Sequence, residues 1–195
     1  EDHYDAALLA CHADDALLMV SNADPDTRRL LSQFRYQRNE AVLHKDPSFM
    51  PQRRRLWSSW NYLGRRNDIN EQGAEDITVT YWMNRLQPLQ TRTGYFVTLN
   101  PSRAIQDDKI AGRFNYYHPI FDAAALSAQR DLWTLQGRNR LWFAGSYFGY
   151  GFHEDGLQSG LAAAEDLSHR LEGGRGAVQR PWTWDERQSR ITRKA

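Results

Sequence analysis

The sequence predicts an α/β protein in which a largely antiparallel sheet is inserted into a layered α/β domain. Both ends of the chain, up to Phe34 and from Phe121 to Leu171, combine short apolar runs with segments of helical spacing. Between them, residues 35–120 contain aromatic and β-branched runs that are separated by Gly, Asn, Asp and Pro. The order is therefore an α/β segment, a block of strands and a second β/α segment.

The composition is that of an ordinary globular chain and excludes several classes of protein. The net charge of +1 over 195 residues gives no attraction to nucleic acid or anionic membranes. The single cysteine, Cys11, excludes a disulfide-stapled secreted domain, so we expect a cytoplasmic protein. No apolar run approaches the roughly 20 residues of a transmembrane helix, and the acidic start is not a signal peptide. The start at Glu1, with a strand almost at once, indicates the middle of a longer protein.

The N-terminal segment predicts one strand and two helices. The apolar run Tyr4–Cys11 is typical of a buried strand. Either Asp14 or Asp15 can cap a first helix, and Asp24 can cap a second helix. The apolar residues of the two helices are Ala16, Leu17, Leu18, Val20, Leu30, Leu31 and Phe34.

The middle block predicts four strands, at Tyr36–His44, Arg55–Leu63, Ile77–Asn84 and Tyr95–Asn100. In the third of them, apolar and polar residues alternate, which favours a sheet whose two faces meet different environments. Five aromatic residues lie on neighbouring predicted strands, and they fit either a plain core or the wall of a cavity. They are Trp57, Trp60, Tyr62, Tyr81 and Trp82.

The C-terminal segment predicts a helix over Phe121–Leu135 with Asp122 near its start, a buried strand at Arg140–Ala144 and a helix from about Leu157 to Leu171. A glycine-rich loop, Gly145–Gly156, joins the last two. The tail, residues 172–195, is basic and is expected to be poorly ordered.

The strand, glycine loop and helix together are the segment with the clearest chemical meaning. Glycines let the backbone approach a ligand closely, and the helix N-terminus offers free N–H groups to an anion. The alternative is a plain crossover in which small residues serve packing. The glycine spacing is not that of the dinucleotide fingerprint, because Gly149, Gly151 and Gly156 are too far apart.

The run from Ala144 to Leu167, AGSYFGYGFHEDGLQSGLAAAEDL, resembles the C-terminal FAD-binding segment of flavin amine oxidases and phytoene-desaturase-like proteins. Ala144 and Gly145 match the strand end of that family, and Gly156–Gly160 (GLQSG) matches the element with which its helix under the flavin ring begins. Ser146 stands where the family usually has an acid, so a charge is missing there. The resemblance implies that FAD is contacted by Gly145, Ser146, Gly156, Leu157, Gln158, Ser159 and Gly160.

The resemblance extends from Tyr4 to about Leu171 and implies a division of the chain. Residues 1–34 would end the substrate-domain helices and return to the FAD domain. Residues 35–120 would form the substrate-domain sheet, and residues 121–171 the C-terminal part of a Rossmann-like FAD-binding domain. The N-terminal βαβ unit with the glycine fingerprint is missing, so this chain alone should bind FAD weakly and could self-associate through the exposed surface.

The activity that the resemblance implies is hydride transfer from a substrate carbon to flavin N5. The glycine loop is similar to that of a subgroup with a relative fused to plant cyclopropane fatty acid synthases, which favours a lipid acyl substrate over another small molecule. Two alternatives stay open. The chain could be a cofactor-free module that binds a lipid or a protein, or a fragment without activity of its own.

Three residues are weak candidates for a catalytic role: His118, His153 and Trp60. His118 precedes Pro119 at the return from the sheet block, and Trp60 could line the substrate cavity. His153 could lie at the cofactor edge or serve only structure. No metal is expected, because three adjacent residues such as His153, Glu154 and Asp155 cannot easily face one ion.

Overall fold

The computed structural model describes residues 2–69 and 75–174, and these form two compact units. The first unit comprises the residues up to Gln37 together with those from Pro119 onward, and the second comprises Arg38–His118. The predicted disorder of the basic tail falls on residues beyond Gly174, outside the described part of the chain.

The first unit contains a parallel pair of short strands and four helices. Strand β1 (Ala7–Leu9) pairs with β7 (Leu141–Phe143), with Ala7 opposite Leu141 and Leu9 opposite Phe143. Its helices are α1 (Ala13–Met19), α2 (Pro25–Leu31), α4 (Ala123–Gln129) and α5 (His153–Leu171). Short 3-10 turns lie at Leu132–Leu135 and Ser146–Phe148.

Aspartate caps begin α2 and α4, as the sequence predicts. The predicted cap of α1 at Asp14 or Asp15 is wrong, because that helix begins at Ala13 and both aspartates lie inside its first turn. The Asp24 carboxylate accepts hydrogen bonds from the amides of Asp26 (3.0 Å) and Thr27 (3.1 Å), and Pro25 follows it at the first helical position. Asp122 accepts from the Ala125 amide at 2.9 Å. A buried apolar cluster holds the helices together, and it includes Leu30, Leu31, Phe34, Leu132, Leu135, Phe143 and Tyr147.

Helix α5 is fixed to strand β7 by a buried carboxylate. Asp166 is fully buried and accepts a hydrogen bond from the Trp142 indole N–H at 2.8 Å. The Nε atom of Arg170 lies 2.9 Å from the same carboxylate. Trp142, Ala144 and Ala163 complete this contact as a small buried cluster. A charged group without water needs such partners, so the carboxylate fixes the position of the helix on the strand.

The second unit is built on a five-stranded sheet with the strand order β3-β4-β5-β2-β6. The pairs β3–β4, β4–β5 and β2–β5 are antiparallel. Its strands are β2 (Arg35–His44), β3 (Trp60–Ile69), β4 (Glu75–Trp82), β5 (Phe96–Leu99) and β6 (Ile110–Ile120). A short helix, α3 (Met83–Leu86), follows β4, and 3-10 turns lie at Pro47–Phe49, Arg54–Leu56 and Asp107–Lys109.

Residues that pair directly across antiparallel strands lie on the same face of the sheet, so the pairing register assigns each residue to one of two faces. One face is buried, and it carries Val42, His44, Asn61, Thr78, Thr80, Phe96 and Thr98. On the other face, Trp60 and Tyr62 are 51% and 65% exposed, and Tyr81 is half-buried. Strand β6 adds Phe114 and Tyr116 to this exposed face. His118 lies on the same side of β6 as these two rings and forms a hydrogen bond with Asn39. Asn39 in turn lies on the same face of β2 as Ala41 and Leu43. We call these five exposed or half-buried rings, Trp60, Tyr62, Tyr81, Phe114 and Tyr116, the aromatic face.

The predicted fold class is confirmed, since the chain combines a parallel pair with an antiparallel sheet. Several predicted boundaries are wrong. The last helix begins at His153, a turn before Leu157, and residues 54–56 form a 3-10 turn that precedes β3. Strand β6 was not expected: Phe114 and Tyr116 alternate with Arg113 and Asn115, but most residues of the strand are exposed, so no buried apolar run marks it. In the described part of the chain, no helix is long and apolar enough to cross a membrane.

Candidate functional site

The carboxyl ends of β1 and β7 meet at one edge of the first unit. The two strands are parallel, so the residues that follow them, Cys11–His12 and Gly145–Ser146, emerge at the same edge. They are close together, since a Cβ atom on Gly145 would lie 3.1 Å from the Cys11 carbonyl oxygen. In α/β sheets this edge is where ligands bind. It is therefore the candidate site of the first unit.

The side chain of Ser159 joins helix α5 to this edge. Its hydroxyl oxygen accepts a hydrogen bond from the Gly145 amide at 3.0 Å. The same oxygen lies 3.1 Å from the Gly145 carbonyl and 3.0 Å from the Gly156 carbonyl. A Cβ atom on Gly156 would lie 3.7 Å from the Ser146 nitrogen. The structure thus brings four of the predicted residues together, and the Ser159 hydroxyl is already engaged within the chain.

Two further side chains hold the glycine loop, and sequence reasoning gave neither of them this role. Asp155 is buried and accepts from the amides of Tyr150 (2.9 Å) and Phe152 (3.0 Å). Gln129 donates to the carbonyl oxygens of Tyr147 (2.9 Å) and Gly149 (2.6 Å). The loop backbone is therefore bound from both sides, which preorganises it. Asp155 is the one Asp within Gly145–Gly156, which could have marked it as a residue that binds the loop backbone. Gln129 lies far from the loop in sequence, so no local signal marks it.

Helix α5 presents a small-residue surface beside this loop. A Cβ atom on Gly160 would meet nothing within 4 Å, and one on Gly156 would meet only the Ser146 nitrogen. These two glycines are four residues apart and so lie on one side of the helix. Packing within the described chain does not require their small size, in contrast to Gly149, where a Cβ atom would overlap the Asp155 carboxylate. The surface can therefore receive a flat group.

The early start of α5 changes one expectation about this helix. The Gly156 amide donates to the Phe152 carbonyl at 3.3 Å, so it is not a free donor at the helix N-terminus. The positive end of the helix dipole lies instead at His153 and Glu154. Leu157 is exposed, and the Gln158 side chain donates to Glu154 at 2.7 Å. These residues lie on the helix as predicted, without free backbone donors.

The titratable groups behind the edge are held neutral. Burial, followed by the nearby Asp15 and Asp14 carboxylates, raises the pKa of the Cys11 thiol. Burial raises the pKa of Tyr36 to about 12. The Tyr36 hydroxyl accepts from the Ala13 amide at 2.9 Å, and its ring stacks on His12 at 4.3 Å. Neither the Cys11 thiol nor the Tyr36 hydroxyl is therefore a nucleophile or a base at neutral pH.

The three catalytic candidates lie in two places, one in each unit. His153 is exposed at the first position of α5 in the first unit. Trp60 lies on the aromatic face of the second unit, where its ring meets Tyr81 edge-on at 5.8 Å. His118 lies on the same side of that sheet, and its Nδ1 atom is 2.8 Å from the Asn39 amide nitrogen. Trp60 and His118 therefore share a surface, and their catalytic roles stay predictions.

One group of possible metal ligands occurs among the described residues, at the start of α1. The ligand atoms of His12, Asp14 and Asp15 lie within 4.8 Å of one another, and all three residues are exposed. Exposed acidic groups of this kind are common without an ion, so we assign no metal to it.

The second unit buries polar groups and exposes aromatic ones. On the buried face, the Thr98 hydroxyl lies 2.9 Å from the Thr80 hydroxyl and 2.7 Å from Nε2 of His44. The Asp46 amide donates to Nδ1 of His44 at 3.1 Å, and burial is the main cause that lowers the pKa of this histidine. Exposed apolar surface on one side of a sheet is typical of an interaction surface. The aromatic face is thus the candidate binding surface of the second unit.

Comparison with known proteins gives a likeness of fold. No protein-family model and no curated protein matches the chain. Among solved structures, a CLA-producing fatty acid isomerase from P. acnes is similar, with a TM-score of 0.50 and 16% sequence identity. The similar region covers 82% of this chain and 41% of the isomerase. The chain thus spans less than half the length of that enzyme, and the likeness shows a shared fold.

Proposed function

We propose that this chain is the C-terminal part of an FAD-dependent oxidoreductase that acts on lipid acyl chains. The observation that carries the proposal is the small-residue surface of α5 beside the joined carboxyl ends of β1 and β7. Gly160 and Gly156 have no packing reason to be glycine within the described chain, and a flat ring system would use the space that they leave. The residues at this edge therefore fit the cofactor.

Gly145, Ser146, Gly156 and Gly160 would hold FAD through backbone and close van der Waals contact. Bound FAD would supply the hydride acceptor, atom N5, for a hydride that leaves a substrate carbon. The chain's own residues bind and orient. Ser159, Asp155 and Gln129 keep the loop in one conformation, so little ordering is needed when the ligand binds.

A further part of the protein would complete the FAD site. The outer edge of β7 is already satisfied, because the Gln136 amide bonds both backbone groups of Phe143 and the turn at Gly137–Arg138 bonds Leu141. In the described residues, no strand pairs with the other side of β1. Parallel sheets rarely consist of two strands. We infer that an N-terminal βαβ unit adds its strands to β1 and brings the glycine fingerprint for the FAD pyrophosphate.

The aromatic face supports the acyl substrate. Half-exposed rings such as Trp60, Tyr62 and Tyr116 offer apolar surface. Among the described side chains on this face of the paired strands, none is a carboxylate. An acyl chain binds by burying such surface, whereas an amine would need a negative partner. The similarity in fold to a fatty acid isomerase agrees with this choice.

The test of the cofactor uses the longest natural chain that contains these residues. After addition of FAD and desalting, we expect that chain to retain flavin absorbance, and the 195-residue chain to retain little. Gly160→Leu should abolish retention, because its side chain would occupy the space of the ring. Glu165→Leu adds the same side chain on another exposed part of α5 and should retain flavin. Retention by Gly160→Leu, with thermal unfolding unchanged, would contradict the proposed site.

The test of the substrate measures flavin reduction in the same protein. Under anaerobic conditions, a fatty acyl substrate should bleach the flavin, and Tyr62→Ala should raise the KM for it. A colourless protein that still binds fatty acids through Tyr62 would replace the oxidoreductase by a cofactor-free lipid-binding module, which the aromatic face also fits.

A further inference from the structure

The second unit contains a cavity of about 380 Å³ that shares no residue with the aromatic face. Its lining includes Lys45, Arg54 and Arg92, together with the rings of Trp57, Trp82 and Phe96. We propose that this cavity binds a small amphiphilic anion, with its carboxylate or phosphate head on the three cations and its apolar tail against the rings. The proposal does not depend on FAD or on the proposed oxidoreductase activity.

The charge of the cavity points to an anion. Three of its ten lining residues are cationic, and none is acidic. Within residues 2–69 and 75–174, none of the three cations takes part in an ion pair. Arg54 instead lies over the Trp57 ring at 5.4 Å, and Lys45 lies over the Tyr95 ring at 5.6 Å. Clustered cations without a counter-charge attract an anionic ligand, and guanidinium groups match carboxylates and phosphates in geometry.

The apolar wall explains why the ligand should also carry a tail. The Trp57 ring stands perpendicular to Trp82, with centroids 5.2 Å apart, and meets Phe96 at 5.7 Å. Phe96 is buried, whereas both tryptophans are half-buried and so keep part of their surface open. A bare inorganic anion would leave this apolar surface in water, while an alkyl tail would cover it.

The walls of the cavity are fixed before any ligand binds. The Trp57 indole donates to the Pro51 carbonyl at 2.8 Å, which sets the ring's orientation. The Asn84 side chain donates to the Thr93 carbonyl at 2.8 Å and accepts from the Tyr95 amide at 2.7 Å. These two bonds hold the segment that carries Arg92 and Gly94. A preformed cavity of this volume lies within the usual range for small-molecule sites, about 300–1,000 Å³.

The run Arg53–Arg55 provides a matched control. Arg54 lines the cavity, whereas Arg53 and Arg55 do not. Charge removal at Arg54 can therefore be compared with the same change at Arg55, where neither net charge nor sequence region differs. A general attraction of the basic run for anions would respond to both changes alike.

Isothermal titration calorimetry of the 195-residue chain tests the site with octanoate and octyl phosphate. Both should bind saturably, and the tighter one identifies the head group. Octanol and inorganic phosphate, which carry only the tail or only the charge, should bind much more weakly. The double variant R54Q/R92Q should weaken amphiphile binding about tenfold, since it removes two ion pairs. The single variant R54Q should weaken binding about threefold, whereas R55Q, which removes the same charge outside the cavity, should leave binding unchanged.

Four outcomes would overturn the site. Octanol that binds as tightly as octanoate would show that the cations are not used, and phosphate that binds as tightly as octyl phosphate would show that the rings are not. Equal losses in R54Q and R55Q would show a diffuse charge effect. Loss of octanoate binding in Trp60→Ala, with R54Q/R92Q unaffected, would place the ligand on the aromatic face. Thermal unfolding of each variant checks that the chain remains folded.

Discussion

The glycine loop of the first unit and the inserted sheet of the second use polar side chains in opposite ways. Around the loop, the buried Ser159 and Asp155 and the half-buried Gln129 bind backbone, so the surface left for a ligand consists of main chain and glycine. In the sheet, buried polar groups such as Thr80 and Thr98 bind one another, and the open surface consists of aromatic side chains. The first surface suits close contact with a rigid cofactor, and the second suits a flexible apolar substrate.

The largest effect is expected where the first unit buries a charge. Asp166→Ala should lower the free energy of unfolding by about 3 kcal/mol, because it leaves the Trp142 indole and Arg170 without their buried partner. Urea denaturation measures the loss. Glu165→Ala, at the exposed neighbouring position, should change it by less than about 0.5 kcal/mol. Similar losses in both variants would show that the buried carboxylate does not fix α5.

A smaller loss is expected at the contact between loop and helix. Ser159→Ala should cost about 1.5 kcal/mol, because the Gly145 amide loses its acceptor in a partly buried place. Hydrogen exchange at the Gly145 amide should become faster at the same time. Ser168→Ala removes an exposed hydroxyl of the same helix and serves as the control. Unchanged exchange in Ser159→Ala would mean that the loop is held without this bond.

The buried face of the sheet should make stability depend on pH through His44. Burial lowers its pKa in the folded state from the ordinary value of 6.5, so the unfolded chain binds the proton more readily. The contribution of neutral His44 to the free energy of unfolding is therefore fully present above pH 6.5, and it is lost as the pH falls through the lower folded-state pKa. One proton limits the slope to about 1.4 kcal/mol per pH unit. Urea denaturation at pH 7.5 and 5.5 should show this loss, and His44→Gln should reduce it.

The smallest effect on stability is expected on the aromatic face. Tyr62 is 65% exposed, so Tyr62→Ala should change the free energy of unfolding by less than about 0.5 kcal/mol. Binding of a fatty acyl substrate to this variant of the longest natural chain should weaken clearly, as measured by the KM, whereas octanoate binding in the cavity should stay unchanged. The reverse pattern, lost stability with unchanged binding, would mean that this face is part of the core.

Local signals in the sequence predicted the parts of the fold that depend on neighbouring residues. The caps at Asp24 and Asp122 and the strand at Leu141–Phe143 are of this kind. The start of α5 was missed because Asp155 binds the amides before the helix and so begins it a turn early. The alternation in β4 was visible, but the side that is buried carries Thr78 and Thr80 instead of Val79 and Tyr81. Only the pairing of distant strands decides that choice.

The site could be predicted in outline and not in its supports. The glycine and serine positions follow from a local motif, and Gly145, Ser146, Gly156 and Ser159 do come together. The clamps by Gln129 and Gln136 join residues distant in sequence or unremarkable in type, and no local pattern marks them. Phe114 and Tyr116 were missed together with strand β6, although they alternate with Arg113 and Asn115, a period of two that could have marked the strand.

The side chain of Gln136 gives the parallel sheet a direction of growth. By bonding both backbone groups of Phe143, it imitates a neighbouring strand and closes that side, while β1 remains able to template another strand. New strands can therefore be added on one side only. The proposed N-terminal unit, supplied as a separate polypeptide, would therefore dock on β1 alone, and Gln136→Ala would open a second, competing docking edge.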